Sequence, residues 1–337
     1  MDGNAGTRTR TPNLLRTDLW PFFILPFLSL LGLGCGETEA PDPMAELDAI
    51  VRPVIRETGQ EIAVYYLDLE TGDSLLVSPD LRMHAASTMK VPVMIQLYLD
   101  RDAGRISLDD SLEVTTTFAS IVDGSPYTLS AGSDGDSTLY ALEGQAVSYR
   151  ELMDLMITRS SNLATNILIQ EADAERVTGS MRTLGADSIH VLRGVEDGPA
   201  FEAGLSNTTT ARDLGAIMAA LARGTAASEE SSREMLEILS RQHWQTKIPA
   251  LLPEDVRVAH KTGRITGISH DAGVVYPPGA PPYVLVILTR GFDEGEDADS
   301  VAARISRLIF DHHLERHERC NFFCTGKRSV GKVLQSF

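Results

Sequence analysis

The order of β-rich and helical stretches is the feature that most constrains the fold of this chain. Two β-rich runs in the N-terminal half, EIAVYYLDL and SLLVS, are joined by ETGD, where Gly72 can adopt the positive φ that a tight hairpin needs. Three more β-rich runs follow one another toward the C-terminus and predict antiparallel strands: VRVAHKTG, ISHDAGVVY and PPYVLVILTRG. The pattern therefore predicts one antiparallel sheet of about five strands.

Helical periodicity flanks and interrupts these runs. Leu47 and Val51 share one face of a first amphipathic helix, and Val301 and Ile305 share one face of a last one. Two such helices can lie side by side against the sheet, because each must bury its apolar face. Residues 104–207 are mostly helical in period. The fold class predicted is α+β, an α/β sandwich with an inserted, mostly helical block.

This pattern defines one folded domain with extensions at both ends. The domain covers 45–315, with an α/β part at 45–86 and 208–315 and a helical part at 87–207. A tail at 316–337 has no amphipathic period, and we assign it no role.

The N-terminal segment has the layout of an export signal. Arginines precede the apolar run LWPFFILPFLSLLGLG, which two prolines interrupt and which is shorter than the roughly 20 residues that span a bilayer. Gly34 stands just before Cys35, so the segment resembles a bacterial lipoprotein signal in which that cysteine is lipidated. We expect a signal at 1–34, a linker at 35–44, and an exported protein, periplasmic or anchored to the membrane through Cys35.

The charge balance restricts the partners. The chain carries 47 acidic and 30 basic residues, a formal net charge of -17, and has no local basic cluster. A polyanion or an acidic membrane surface would be repelled. We therefore expect no nucleic-acid partner.

Cysteine and histidine usage predicts neither a disulfide framework nor a metal site. Cys35 belongs to the signal, and Cys320 and Cys324 lie in the tail, so no disulfide staples the domain. His313 and His317 are four residues apart on one helix face, but the local sequence offers no acidic partner for a zinc signature. We expect a solvated helix end there, with no metal and no cofactor.

The stretch HAASTMKVPV places Ser87 three residues before Lys90 at the start of an apolar helix. On a helix, residues three apart are neighbours, so the Lys90 amine would lie beside the Ser87 hydroxyl. Serine needs a base to become a nucleophile, and lysine can be that base if burial lowers its pKa from about 10.4 toward neutrality. The alternative is ordinary: Ser87 caps the helix and Lys90 extends to solvent.

Two further motifs favour the chemical interpretation. TRSSNLATN contains Ser160 and Asn162, and VAHKTGRITG contains Lys261, Thr262 and Gly263. With Ser-x-x-Lys, these motifs resemble those of the class A serine β-lactamase and penicillin-binding protein superfamily, in the expected chain order. The resemblance covers about residues 45 to 315 and implies the same α+β fold.

The resemblance implies a role for each motif residue. Ser87 would be the acylated nucleophile, Lys90 its proton acceptor, and Ser160 the relay of a proton to the leaving nitrogen. The remaining motif residues would bind the substrate: Asn162 its side-chain amide, and Lys261 and Thr262 its carboxylate. The strand after Gly263 would run along the substrate. The backbone N–H of Ile265 would form part of the oxyanion hole.

The sequence also departs from the family pattern. Position 161 is serine where class A enzymes have aspartate. In the loop that would carry the deacylating glutamate, Glu196 is the nearest candidate and Glu202 the second, and residue 200 is alanine where an asparagine is expected. Both glutamates are equally consistent with solvated loop acids.

One substrate-binding cation is also unassigned. No arginine follows Gly263 in the usual position for binding a substrate carboxylate, which leaves Arg264 and His270 as substitutes.

Three functions remain open from the sequence. The leading one is β-lactam hydrolysis by a monomeric, class A-like serine hydrolase. The first alternative is a D,D-peptidase or esterase that acylates in the same way but deacylates differently. The second alternative is a non-catalytic lipoprotein that senses β-lactams or wall fragments. The substrate in each case is a small β-lactam or a molecule like a peptidoglycan stem.

Overall fold

The computed structural model describes residues 43–292 and 297–330, with side chains to residue 319. The predicted signal at 1–34, Cys35 and the side chains of Cys320 and Cys324 lie outside this description. The strands are β1 (Glu61–Asp68), β2 (Ser74–Val77), β3 (Met83–His84), β4 (Ser111–Glu113), β5 (Thr117–Ala119), β6 (Pro126–Thr128), β7 (Ala146–Ser148), β8 (Thr208–Thr209), β9 (Arg257–Ile265), β10 (Ile268–Tyr276) and β11 (Tyr283–Arg290). The α-helices are α1 (Pro43–Thr58), α2 (Lys90–Asp102), α3 (Tyr149–Asp154), α4 (Asn162–Ala172), α5 (Ala174–Thr183), α6 (Gly198–Glu202), α7 (Ala211–Ala222), α8 (Glu229–Leu239) and α9 (Ala298–Val330).

The predicted antiparallel sheet of five strands is confirmed. Its order is β2-β1-β11-β10-β9, and every neighbouring pair is antiparallel. The first hairpin turns at Gly72, whose φ of 80° is accessible to glycine at little cost. The two ends of the domain therefore meet in the middle of the sheet, where β1 pairs with β11.

Alternation along β1 separates the two faces of the sheet. Ile62, Val64 and Tyr66 pack with the apolar sides of α1 and α9, while Ala63 and Leu67 face the other core. This period of two is what a strand buried on both faces requires. The predicted pairing of the first and last helices on one face is confirmed by their contacts with each other.

The second face joins the sheet to the helical block. Helix α7 lies on β1, β10 and β11, and one continuous apolar core extends from there into α2 and α4. Thr210 caps α7, its hydroxyl accepting a hydrogen bond from the Asp213 N–H at 3.1 Å. Beside this core, the edge strand β9 contacts the turn at 86–89 that leads into α2.

The C-terminal helix is longer than the sequence pattern indicated. Helix α9 extends to Val330, through much of the segment that we treated as a tail. Within 43–292 and 297–330, no helix combines the length and the apolar composition needed to cross a bilayer.

Candidate active site

A cleft of about 870 Å³ opens between the edge strand β9 and the helical block. Seven of the residues named from the sequence line it: Ser87, Ser160, Asn162, Glu196, Thr262, Arg264 and Ile265. The two motif lysines lie behind this surface, and both are fully buried. The three motifs, far apart in sequence, thus meet at one place.

Ser87 lies on a 3-10 turn, Ala86–Met89, and not on an α-helix as the sequence suggested. Helix α2 begins only at Lys90, the residue three positions later. Ala86 has a φ of 45°, a left-handed conformation that alanine rarely adopts. Strain of this kind persists where packing over-determines the backbone, and such sites are often functional.

The amine of Lys90 is anchored to the second motif. Its Nζ donates to the carbonyl oxygen of Ser160 at 2.7 Å and to Oδ1 of Asn162 at 2.9 Å, and it lies 3.3 Å from the Ser160 Oγ. Among the described contacts there is no hydrogen bond from Lys90 to Ser87, so the adjacency of the amine and the Ser87 hydroxyl stays a prediction.

Burial changes the acidity of Lys90. Removing the amine from water lowers its pKa from 10.5 to about 7, even though the carboxylates of Asp134 and Glu196 act to raise it. The residue is therefore poised to accept a proton near neutral pH, as the sequence interpretation required.

Lys261 lies on the other side of Ser160. Its Nζ donates to the Ser160 Oγ at 3.0 Å and to the Thr262 carbonyl oxygen at 2.9 Å. Burial, followed by the charge of Lys90, lowers the pKa of Lys261 well below its usual value. The Ser160 oxygen thus accepts from two lysines, which leaves its own O–H free to donate elsewhere.

Local backbone structure explains the position of Ser160. A π-helical turn, Leu155–Arg159, ends at Ser160, whose φ of 62° reverses the chain. Ser161 then caps α4, its Oγ accepting from the Ala164 N–H at 3.2 Å. Through its side chain, serine at this position satisfies one backbone N–H at the start of α4.

A carboxylate from another loop lies at the start of α4. Asp134 accepts hydrogen bonds from the backbone N–H groups of Asn162, at 2.7 Å, and Leu163, at 2.8 Å. Sequence analysis missed Asp134, because it lies in a Gly/Ser/Asp-rich loop with no motif.

Of the two candidate glutamates, only Glu196 is in the cleft. Its Oε1 accepts from the Asn162 Nδ2 at 2.9 Å and its Oε2 from the Ser133 Oγ at 3.2 Å. Glu202 is exposed at the end of α6 and does not line the cleft. Residue 200 is a buried alanine, and its side chain offers no hydrogen bond in place of the expected asparagine. The Ser133 hydroxyl provides a polar contact to Glu196.

The Glu196 loop is held by a side chain of α4. The Asn166 amide accepts from the Val195 N–H at 2.6 Å and donates to its carbonyl oxygen at 3.0 Å. Glu196 follows with a φ of 60°, so the backbone turns there and directs the carboxylate toward Asn162.

A cationic end of the cleft includes one residue that sequence analysis missed. Arg264 and Lys247 both line the cleft and both approach Asp299, at 2.5 Å and 3.4 Å. Lys247 comes from a loop with no recognisable motif.

The alternative prediction, that His270 binds the substrate carboxylate, is wrong. His270 is fully buried, and its Nε2 lies 3.0 Å from the His84 carbonyl oxygen. Burial lowers the pKa of His270 to about 4.

Gly263 brings β9 against the nucleophile turn. A Cβ at this position would lie 3.1 Å from both the Ala86 Cβ and the Ser87 backbone nitrogen. Glycine therefore permits an approach that a larger residue would push apart by a few tenths of an ångström.

We expect Gly263→Ala to slow acylation of Ser87 roughly tenfold, because small displacements of reacting groups are costly. The melting temperature should change little, since the added methyl requires only a small local shift. Gly179→Ala is the control, because a Cβ on α5 at that position meets nothing within 4 Å. Equal acylation rates in both variants would contradict the importance of this contact.

Two histidines of α9 lie beside an acidic side chain from a distant part of the sequence. The prediction of a solvated helix end here is therefore wrong. His313 and His317 meet the buried carboxylate of Asp68 from β1, with their ligating atoms within 4.8 Å of one another. These atoms already have partners: His317 Nε2 lies 2.7 Å from Asp68, and His313 Nδ1 lies 2.8 Å from the Tyr66 hydroxyl. The Arg316 guanidinium is also 3.8 Å from Asp68. We therefore interpret the cluster as a network joining α9 to β1.

Comparison with known proteins agrees with this geometry. Residues 45–313 match the β-lactamase enzyme family. The chain belongs to this family. The resemblance to the serine β-lactamase and penicillin-binding protein superfamily is thereby confirmed, and so is the predicted fold class.

The matches to similar proteins cover about four fifths of this chain. The β-lactamase of Streptomyces fradiae is 26% identical over 275 residues, covering 80% of this chain and 87% of that protein. The solved β-lactamase of Sphaerobacter thermophilus has a TM-score of 0.66 and 28% identity, covering 79% of this chain and 95% of that one. A PBP-A mutant, solved as an acyl-enzyme complex with penicillin G, has a TM-score of 0.66 and 25% identity, covering 81% and 98%.

Proposed function

We propose that this β-lactamase family member is a class A-like serine hydrolase that is acylated on Ser87 by β-lactams. The observation that carries the proposal is the convergence of Ser87 with a buried lysine whose pKa is about 7 and with the shared hydroxyl of Ser160. The names of the similar proteins support a β-lactam as substrate.

In the acylation step, the Ser87 Oγ forms a bond to the lactam carbonyl carbon while its proton passes to neutral Lys90. For this transfer the Lys90 amine moves from Asn162 toward Ser87, since catalytic hydrogen bonds commonly tighten only with substrate bound. The carbon–nitrogen bond then breaks. The leaving nitrogen takes a proton from the Ser160 hydroxyl, which is replenished from protonated Lys90.

Substrate binding follows from the walls of the cleft. The backbone N–H groups of Ser87 and Ile265 form the oxyanion hole on either side of the Gly263 contact. Lys261 and Thr262 bind the substrate carboxylate, with Lys247 and Arg264 adding positive charge at the same end. The side-chain amide of Asn162 binds the amide of the acyl group once substrate displaces part of its contact with Glu196.

The alternative is a D,D-peptidase-like enzyme that retains the acyl group. Two observations favour it: Ala200 leaves the Glu196 loop without the expected asparagine, and the solved PBP-A mutant holds penicillin G as an acyl-enzyme. The two functions differ only in how fast water removes the acyl group from Ser87.

Nitrocefin turnover by the purified protein, followed with intact-mass detection, distinguishes the two functions. Sustained turnover is the result that the β-lactamase proposal predicts. A stoichiometric burst with a stable adduct would instead support the peptidase-like enzyme. Neither turnover nor adduct would contradict both and favour a non-catalytic sensor.

Glu196→Gln is expected to leave the acylation rate within a few fold of the wild type and to slow deacylation at least about 100-fold, so that adduct accumulates. The reason is that the glutamine cannot remove a proton from the attacking water, and general bases contribute factors of this size. Glu202→Gln is the matched control and should behave as the wild type. Slow deacylation in Glu202→Gln alone would reject Glu196 as the base.

We also propose that the protein is exported and anchored through a lipidated Cys35, based on the signal-like segment before it. The intact mass of the membrane-extracted protein tests this. A first residue other than a lipid-modified Cys35 would contradict it.

A further inference from the structure

The loop at 130–137 lies against the turn that carries Ser160. A Cβ on Gly135 would overlap the carbonyl oxygen of Arg159, so the loop backbone presses directly on this turn. The contact places the half-buried Asp134 beside the start of α4. There its Oδ1 accepts from the Asn162 N–H at 2.7 Å and its Oδ2 from the Leu163 N–H at 2.8 Å.

These two bonds meet a physical requirement of the helix. The first turn of an α-helix leaves backbone N–H groups without intrahelical partners. Ser161 satisfies only the Ala164 N–H, and Asp134 satisfies the two that precede it. A carboxylate is also favoured at a helix N-terminus because of the helix dipole.

The carboxylate of Asp134 is itself held in place. The Tyr140 hydroxyl donates to Oδ2 at 2.9 Å. Burial, together with the charge of Asp134, raises the pKa of Tyr140, so the phenol keeps the proton that it donates. The loop, the tyrosine and the helix start therefore form one connected unit.

We propose that Asp134 is a positioning residue for acylation: its carboxylate fixes the turn that holds Ser160 and Asn162 against Lys90. The inference rests on the proposed function of Ser87 and Lys90. It assigns to a separate loop the structural carboxylate that the family pattern would place at position 161.

Because Asp134 is charged, replacing it should also change the pH dependence of acylation, which the loss of a neutral structural residue would not do. Three ionisable groups act on the Lys90 amine: the carboxylates of Asp134 and Glu196, and the amine of Lys261 across the Ser160 hydroxyl. Asp134 acts to raise the pKa of Lys90. Removing its charge should therefore lower that pKa and move the acid limb of the acylation rate to lower pH.

The test compares Asp134→Asn with Asp136→Asn in the purified protein. Asp136 lies in the same loop, and among the described residues its carboxylate bonds only Thr138 and Leu139, away from α4. Benzylpenicillin acylation is measured from pH 5 to 9 by quenched intact mass, and amide hydrogen exchange is measured across residues 160–165. We expect Asp134→Asn to slow acylation about 100-fold, shift the acid limb down and speed exchange, while Asp136→Asn changes none of these.

Each outcome decides the proposal. Wild-type acylation with an unmoved acid limb in Asp134→Asn would overturn it, as would an equal loss in Asp136→Asn. If the wild type forms no adduct, the proposed function fails, and exchange alone then decides: unchanged protection of Asn162 and Leu163 in Asp134→Asn overturns the positioning role. If Asp134→Asn does not fold, Tyr140→Phe removes the hydrogen bond that holds Asp134 but keeps its charge. This variant should slow acylation and speed exchange to a smaller extent, with the acid limb unmoved, and wild-type acylation and exchange in it would overturn the proposal.

Discussion

Ser87→Ala is expected to abolish adduct formation with benzylpenicillin and to reduce nitrocefin turnover on the order of 10⁴-fold or more, as removal of a covalent nucleophile does. The fold should be unaffected, because the Ser87 side chain makes no hydrogen bond among the described contacts. The measurement is intact mass after acid quench, alongside steady-state turnover.

Ser133→Ala is the matched control for this variant. It removes another hydroxyl from the same cleft, and its oxygen contacts Glu196 and Ser130. We expect the adduct to form in Ser133→Ala at a rate close to that of the wild type. An adduct that persists in Ser87→Ala would show that another residue is the nucleophile.

Lys90→Ala is expected to slow acylation at pH 7 by about 10²- to 10⁴-fold, the range that a positioned general base contributes. The neutral amine is the reactive form. In the wild type the acylation rate should therefore rise as the pH increases through about 7, the pKa to which burial lowers Lys90. Lys90→Ala should lose this rise.

Lys90→Arg separates the role of a base from that of a positive charge. Arginine keeps the charge and can donate hydrogen bonds to Ser160 and Asn162, but it does not deprotonate in proteins. Acylation should remain slow in this variant at every accessible pH. Wild-type acylation in either variant, or a wild-type rate independent of pH between 6 and 8, would contradict the role of Lys90 as the base.

The sheet was predictable because local signals agreed with one another. The hairpin at Gly72 and the three successive strands combine β-rich composition with turn residues at their ends, and the structure pairs them as expected. The N-cap at Thr210 was predictable for the same reason, since a cap acts within four residues. None of these features depends on distant parts of the chain.

The residues of the site were predictable only where they belong to a sequence motif or to a loop that the motifs identify. The motif residues and Glu196 meet in and around one cleft, but Asp134, Ser133 and Lys247 do not belong to any pattern. Their roles arise from loops that approach through tertiary packing. The same holds for Asp68, which joins the α9 histidines across the domain.

The direction of the Lys90 side chain was beyond sequence reasoning for a different reason. Ser-x-x-Lys predicts only that the amine and the Ser87 hydroxyl lie on the same side of the chain, because residues three apart are neighbours in a 3-10 turn as well as in an α-helix. The Lys90 side chain also reaches the carbonyl oxygen of Ser160 and the amide of Asn162, whose positions depend on the left-handed turn at Ser160.

The most direct test of the account is to locate the acyl group. The purified protein is mixed with benzylpenicillin, quenched in acid within the first turnover and digested with trypsin, which cleaves after Arg82 and Lys90 to release MHAASTMK. Fragmentation of this peptide should place a penicilloyl group on Ser87 and not on the adjacent Thr88. A modification elsewhere, or none at any quench time, would contradict a serine acyl-enzyme at this site.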